Sequence, residues 1–382
     1  MSRPVLIRPD LRYDFGRGHP MSPGRVRHTM SLAEALGVLD GFDLVDADPM
    51  DEALLAEVHE ADYIAAVKDG QPHPLRGIGT EDNPIVPDMH EIAASVGAAS
   101  VTAAKVVWEG RTNRAINIAG GLHHALPGAT SGFCIYNDPA LAIRWLLDNG
   151  AERVAYLDVD AHHGDGVERI FDNDPRVLTI SLHQSPINIF PGTGFATETG
   201  GPDAQGTAIN VALPAGTNDA EWLRAFDAVV PEALEAFSPS VLVSQHGCDS
   251  HVWDPLTELK LTVDGQREAA TMIAQLAQAH AQDRWVATGG GGYAVIRVVP
   301  RAWTHLLGVI AGHPVDPATP LPPEWRAQFG DDAPEAMTDL DGPVEWTSIR
   351  DGWDPASRVD QAVLATRRAT FPELGLDPEL SW

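Results

Sequence analysis

The chain has 382 residues, 44% of them apolar, enough for the core of one large α/β domain or two ordinary ones. Its formal net charge of −28 disfavours direct contact with DNA or RNA; it suits basic partners such as lysine-rich segments, or simply keeps the protein dispersed in water. No apolar run spans a bilayer, the start MSRPVLIRPDLRYDFG lacks an apolar signal core, and two cysteines (Cys134, Cys248) suit a reducing compartment, so a cytoplasmic protein is expected.

Residues 51–70 (DEALLAEVHEADYIAAVKDG) read as one amphipathic helix closed by Gly70. Residues 91–110 read as a second helix, rich in small residues and therefore closely packed. AINIAGG (115–121) reads as a buried strand running into a glycine turn. In 138–150 (DPALAIRWLLDNG), Asp138 is the expected N-cap, Pro139 the first helical residue, and Gly150 lies beyond the end. RVAYLDVD (153–160), RVLTISLH (176–183), SVLVSQHG (240–247) and RWVATGGGG (284–292) read as further strands. Helices near 218–237 and 264–281 separate the later ones.

This alternation predicts an α/β fold of three layers, a mostly parallel sheet with helices on both faces. Ligands of such sheets bind beyond the carboxyl ends of the strands. Here those ends read GGLHH, DVDAHHGD, SLHQ, QHGCDSH and GGGGY, so they should cluster at one edge. No linker or repeat divides the chain before residue 312, and residues 1–382 are expected to form a single domain. From 313 to 382 the chain is acidic and proline-rich, an ordered surface wrap or a mobile tail.

DVDAHHGDG (158–166) raises the question of whether it holds one metal, two or none. Asp158, Asp160 and His162 share a face if the strand stays extended. A carboxylate and an imidazole suit a borderline divalent ion, and the remaining carboxylate can orient a histidine. Asp249 is the best candidate for a third ligand from another strand end. Asp160, His162 and Asp249 leave a fourth position for water, as catalytic metal sites do. His123 and His124 are candidate proton acceptors, with Asp158 and Asp165 available to fix their tautomers. Tyr293, after a glycine run, offers a phenol to an oxyanion.

Together these segments resemble the histone deacetylase superfamily, which includes bacterial acetoin utilization proteins. The resemblance spans at least residues 13–293. It is carried by GHPMSPGRVR (18–27), GTEDNP (79–84), GGLHHA (120–125), SGFCIYNDPALAI (131–143), DVDAHHGDGVERIF (158–171), SLHQ (181–184), FPGTG (190–194), HGCDSHVWDPL (246–256) and GGGGY (289–293). It implies an arginase/deacetylase fold with about eight mostly parallel strands. It implies one divalent ion, zinc or else iron, on Asp160, His162 and Asp249. It makes His124 with Asp165 the general base and acid, His123 with Asp158 its electrostatic assistant, and Tyr293 the group that polarises the acetyl carbonyl. Phe133 and Phe190, with Gly132 beside them, match the wall of an acyl-lysine tunnel. Asp82 matches a rim aspartate that grips substrate backbone, Leu256 a residue of the mouth, and Arg25 an arginine of the cavity behind the metal. A structural potassium ion is implied at the carbonyls of Asp158, Asp160 and His162 with Ser181 and Leu182. The implied substrate is an acetylated protein or peptide, with acyl-CoA synthetases the family's best-known type in the acetoin-utilization branch.

Three other functions fit the sequence less well. A two-metal ureohydrolase on the same fold needs further carboxylates where this chain has Gly164 and Gly247. A polyamine deacetylase needs an acidic residue at the mouth, where Leu256 favours acyl-lysine. A non-catalytic acetyl-lysine or metal binder predicts loss of Tyr293, His124 or a ligand, and none is lost. His251 departs from the eukaryotic class I pattern and is assigned either to the pocket rim and metal surroundings or to a surface loop. His163 is expected to support the site from behind, and Cys134 to serve packing.

Overall fold

A computed structural model describes residues 2–379. Among the described residues eight strands form one sheet: β1 (Val5–Ile7), β2 (Asp43–Val45), β3 (Arg114–Asn117), β4 (Val154–Asp158), β5 (Val177–Gln184), β6 (Ala208–Leu213), β7 (Val241–Gln245) and β8 (Trp285–Thr288). Their order is β2-β1-β3-β8-β7-β4-β5-β6, and every pairing is parallel. The central strands are short, apolar and buried on both faces, as helix-covered parallel strands must be. Alternation sorts their side chains: Val154 and Tyr156 join one core, Ala155 and Leu157 the other.

The helices are α1 (Gly24–Ala35), α2 (Glu52–Val58), α3 (Ala61–Asp69), α4 (Met89–Trp108), α5 (Asp138–Asp148), α6 (Asp165–Phe171), α7 (Asp219–Phe237), α8 (Val263–His280), α9 (Val299–Ile310), α10 (Pro323–Arg326) and α11 (Arg358–Thr370). Residues of α2 to α5 build the core on one face of the sheet, and those of α7 to α9 the core on the other. Among the described residues no helix is long and apolar enough to cross a membrane.

Two local expectations change. The helix read over 51–70 is two helices, because His59 is extended and bonded elsewhere: Glu60 N donates to Pro127 O at 2.8 Å and His59 Nδ1 lies 3.1 Å from Leu126 O. The N-cap of α5 is Asn137, whose side chain accepts from Ala140 N at 3.0 Å. Asp138 is buried inside the first turn, where its carboxylate takes the amides of Gly121 and Leu122 and the hydroxyl of Ser100. It therefore fixes the loop before His123. Strands β1, β2 and β6 were not foreseen.

Residues 313–379 lie against the sheet domain. α11 covers the edge strand β6, with Thr366 Oγ1 donating to Asn210 O at 2.6 Å. Arg224 of α7 pairs with Asp360 at 2.7 Å. Leu321, Trp325 and Met337 pack with Leu32 of α1. Residues 380–382, the end of the acidic segment, lie outside the described residues.

His251 belongs to this attachment and to neither place expected for it. It is fully buried, accepts from Trp253 N at Nδ1, and donates from Nε2 to Asp339 at 2.8 Å. Asp339 also meets Arg301 at 2.8 Å and Val263 N at 3.0 Å. Burial opposes its charge, but His251 and Arg301 outweigh it and hold the carboxyl well below its ordinary range. A carboxylate depressed on folding stabilises the fold above its unfolded pKa, and that contribution is lost as pH falls. Asp339→Asn is expected to destabilise by about 2 kcal/mol at pH 7, with the difference shrinking below about pH 4. Urea unfolding at pH 7 and pH 2 checks this; an equal deficit at both would mean that the charge contributes nothing.

Candidate active site

Five adjacent strands, β3, β8, β7, β4 and β5, deliver the polar segments to one edge of the sheet. β4 ends at Asp158, so Asp160 and His162 stand on a loop and not on an extended strand. They nevertheless converge with Asp249, which follows the neighbouring strand β7. Ligand atoms of Asp160, His162 and Asp249 all lie within 4.8 Å of one another, and all three residues are buried. His162 Nδ1 is 2.9 Å from Asp249 Oδ2 and 3.1 Å from Asp160 Oδ1.

These donors suit a divalent cation. Asp160 Oδ2 is anchored by Gly291 N at 2.8 Å and Gln245 Nε2 at 2.7 Å, and Asp249 Oδ1 by Ala161 N at 2.8 Å. Burial and the neighbouring Asp160 push the Asp249 carboxyl up to about 6. Two buried carboxylates held this close repel each other, and a cation bound between them would relieve that repulsion. One imidazole and two carboxylates are the donors expected of such a site.

Glycines stand at the two positions where a second metal site would need carboxylates. A Cβ at Gly247 would lie well inside contact distance of Asp160 Oδ2, and one at Gly164 inside contact distance of Asp158 Oδ2. Neither position has room for another carboxylate. The same economy of space applies where the β3 and β8 loops meet: a Cβ at Gly121, which has φ of +91°, would strike the Gly289 carbonyl.

The histidine pair stands beside this cluster. His123 Nδ1 is 2.7 Å from Asp158 Oδ2, His124 Nδ1 is 2.6 Å from Asp165 Oδ1, and the two Nε2 atoms are 3.0 Å apart. Burial lowers the His123 pKa, but Asp158 and Asp160 more than reverse this and bring it to about 9. Burial and the His123 charge bring His124 down to about 4. Two supporting residues were missed. Tyr156 donates to Asp158 Oδ2 at 2.6 Å, and Gln245 steadies Asp160. Tyr156 stands two residues before Asp158 on the same strand face, which is the signal that was available.

The walls follow. Phe190 meets His124 edge-on at 4.8 Å, and Phe133 meets Tyr293 edge-on at 5.8 Å. Gly132 lies under this wall, where a Cβ would collide with the rings of His124 and Phe190. Phe133 itself has φ of +68°, held by Tyr13 OH donating to its carbonyl at 2.8 Å. Tyr293 N donates to Asp254 Oδ2 at 2.7 Å, and the other oxygen of Asp254 takes Leu256 N at 3.0 Å. Arg25 is buried, donates to Gly292 O at 3.1 Å, and lies 5.5 Å from the Tyr293 ring centroid. Asp82 is exposed, with its carbonyl 3.2 Å from His19 Nε2; Leu256 is also exposed. His163 bonds Thr193 and Glu168, away from the ligand cluster. Cys134 is buried and donates to Gly132 O.

A model of the histone deacetylase domain matches residues 19–310. The acetoin utilization protein AcuC of Bacillus subtilis (strain 168) is 38% identical over 356 residues, covering 91% of this chain and 89% of the relative. The protein of the same name from Staphylococcus xylosus is 32% identical over 351 residues, covering 90% and 89%. Among solved structures, an HDAC homologue from Aquifex aeolicus matches with a TM-score of 0.81 at 27% identity, over 96% of this chain and 100% of that one. An HDAC homologue complexed with SAHA matches with a TM-score of 0.82 at 28% identity, over the same shares.

Proposed function

The chain belongs to the histone deacetylase family, and from that premise we propose that it is a zinc-dependent hydrolase of acetyl-lysine in proteins, releasing lysine and acetate. The observation that carries this reading is the buried Asp160–His162–Asp249 group beside a histidine pair whose outer nitrogens are each held by a carboxylate. These three residues would hold the ion, zinc in our reading with iron as the other choice. When bound, it supplies Lewis acidity toward the acetyl carbonyl and toward water.

Asp165 holds His124 with its proton on Nδ1, so its accepting nitrogen is Nε2, which faces His123 Nε2 at 3.0 Å and would take the proton of the attacking water in its place. His123, whose proton affinity Asp158 raises, favours the negative charge that develops on the oxygens of the group under attack. Tyr293 donates its phenol hydrogen to the acetyl oxygen as that oxygen gains charge. His124 then returns its proton to the lysine nitrogen as the C–N bond breaks. Phe133 and Phe190 exclude water from the tunnel and hold the lysine methylenes. Asp82 grips the substrate backbone at the rim, Leu256 with Gly132 shapes the passage, and Arg25 backs the cavity beneath Tyr293. A structural potassium ion belongs to this reading, at the carbonyls of Asp158, Asp160 and His162 with Ser181 and Leu182; Asp158 and Ser181 stand opposite each other in the sheet. Acetylated acyl-CoA synthetases in the cytoplasm are the proposed physiological targets.

The test is a side-by-side assay on an acetyl-lysine peptide and on acetylated spermidine and putrescine. Preference for the peptide is expected, with close to one transition metal per chain by elemental analysis. Preference for a polyamine overturns the substrate, and two metals per chain overturn the site.

A further inference from the structure

Exposed apolar side chains are not scattered evenly over this acidic protein. Among the described residues, the four most exposed large ones are Leu75, Ile187 (73%), Trp253 (61%) and Val252. All four stand on the loops that carry the mouth of the candidate site. Leu75 lies in the turn Pro74–Arg76, which is tied to the tunnel wall where Thr130 N donates to Arg76 O at 2.9 Å, three residues before Phe133. Ile187 lies in the turn Pro186–Asn188, three residues before Phe190. Val252 and Trp253 lie between Asp249 and Asp254, whose carboxylate holds both Tyr293 N and Leu256 N. The Trp253 indole is not loose: the Arg297 guanidinium lies 5.6 Å from its ring centroid.

We propose that these residues form an apolar collar that reads the side chains flanking the acylated lysine, so that the enzyme selects lysines with a large apolar neighbour. This rests on the acyl-lysine reading above. In that reading the lysine side chain passes between Phe133 and Phe190, so the chain to which that lysine belongs lies over the collar. Solvated indole and aliphatic groups gain from covering by other apolar groups. A polyamine has cationic nitrogens and no apolar branch, and its match would be carboxylates, which these four positions lack. A polypeptide with a leucine or phenylalanine beside the lysine has the required chemistry.

The test compares two acetyl-lysine peptides, one with Leu or Phe on both sides of the lysine and one with Ser, on the wild type and on Ile187→Ser/Trp253→Ser. The apolar peptide is expected to have kcat/KM about tenfold higher, mostly through KM, as one well-covered side chain gives. In the double variant the ratio should fall to within about twofold. The ratio is the readout, so a loss shared by both peptides does not count. Equal rates on the two peptides, or a preference that survives the substitutions, overturn the collar while leaving the deacetylase reading intact. Absence of turnover on both peptides, with turnover of acetylspermidine, overturns the reading and the collar together.

Discussion

Tyr293→Phe is expected to lower kcat on an acetyl-lysine peptide by about 10²–10³-fold while the bound metal stays at wild-type stoichiometry. The substitution removes one hydroxyl and keeps the ring. The edge-on contact with Phe133, the stacking over Arg25 and the amide bond to Asp254 all involve the ring or the backbone, so the loop after β8 keeps its shape. Burial pushes the phenol well above its ordinary pKa, which keeps the group an O–H donor throughout the working pH range. A donor aimed at an oxygen that gains charge only during reaction lowers the barrier without tightening substrate binding. The loss should therefore appear in kcat and leave KM nearly unchanged. Steady-state kinetics with elemental analysis checks both halves. A variant as active as the wild type would remove Tyr293 from the mechanism, and a variant that loses its metal would make the residue part of the scaffold.

The site was legible in the sequence because a parallel sheet brings all its strand ends to one edge. Polar segments at five strand ends, 120–124 through 289–293, had to meet, and they do on five adjacent strands. What escaped reading depends on partners far along the chain. AINVAL (208–213) is an edge strand whose outer side is covered by α11, and that cover comes from about 150 residues later. The pattern over 51–70 is helical throughout, yet a hydrogen bond to Pro127 breaks it at Glu60; tertiary contacts overrode a sound local preference. Asn137 and Asp138 both suit a helix cap, and only the loop at Gly121 and Leu122, which claims the carboxylate of Asp138, decides between them. His251 gave no local sign of burial because Asp339 is 88 positions away. Gln245 was invisible for a related reason: at the end of an apolar strand it resembled the start of a loop, and its role lies in reaching Asp160 across the sheet.

A second large effect separates one metal from two. In the ureohydrolase reading, carboxylates at 164 and 247 would create another metal site, so Gly247→Asp should gain an ion. The packing predicts the reverse. A Cβ at 247 falls well inside contact distance of Asp160 Oδ2 and Cγ, and Asp160 can move that oxygen away only by giving up its hydrogen bonds from Gln245 and Gly291. The added carboxylate would also stand unpaired beside two buried ones. Gly247→Asp is therefore expected to destabilise the protein by about 3–5 kcal/mol, to empty the ligand site, and to lower activity by more than about 10³-fold. Gly247→Ala separates the two causes. It carries the same Cβ without the charge, so metal loss and destabilisation should persist in it, smaller by the charge contribution. If Gly247→Ala binds metal as the wild type does, the clash is not what excludes a second ion. If Gly247→Asp folds and holds two ions, glycine at this position is incidental, and the one-metal reading of DVDAHHGDG fails with it.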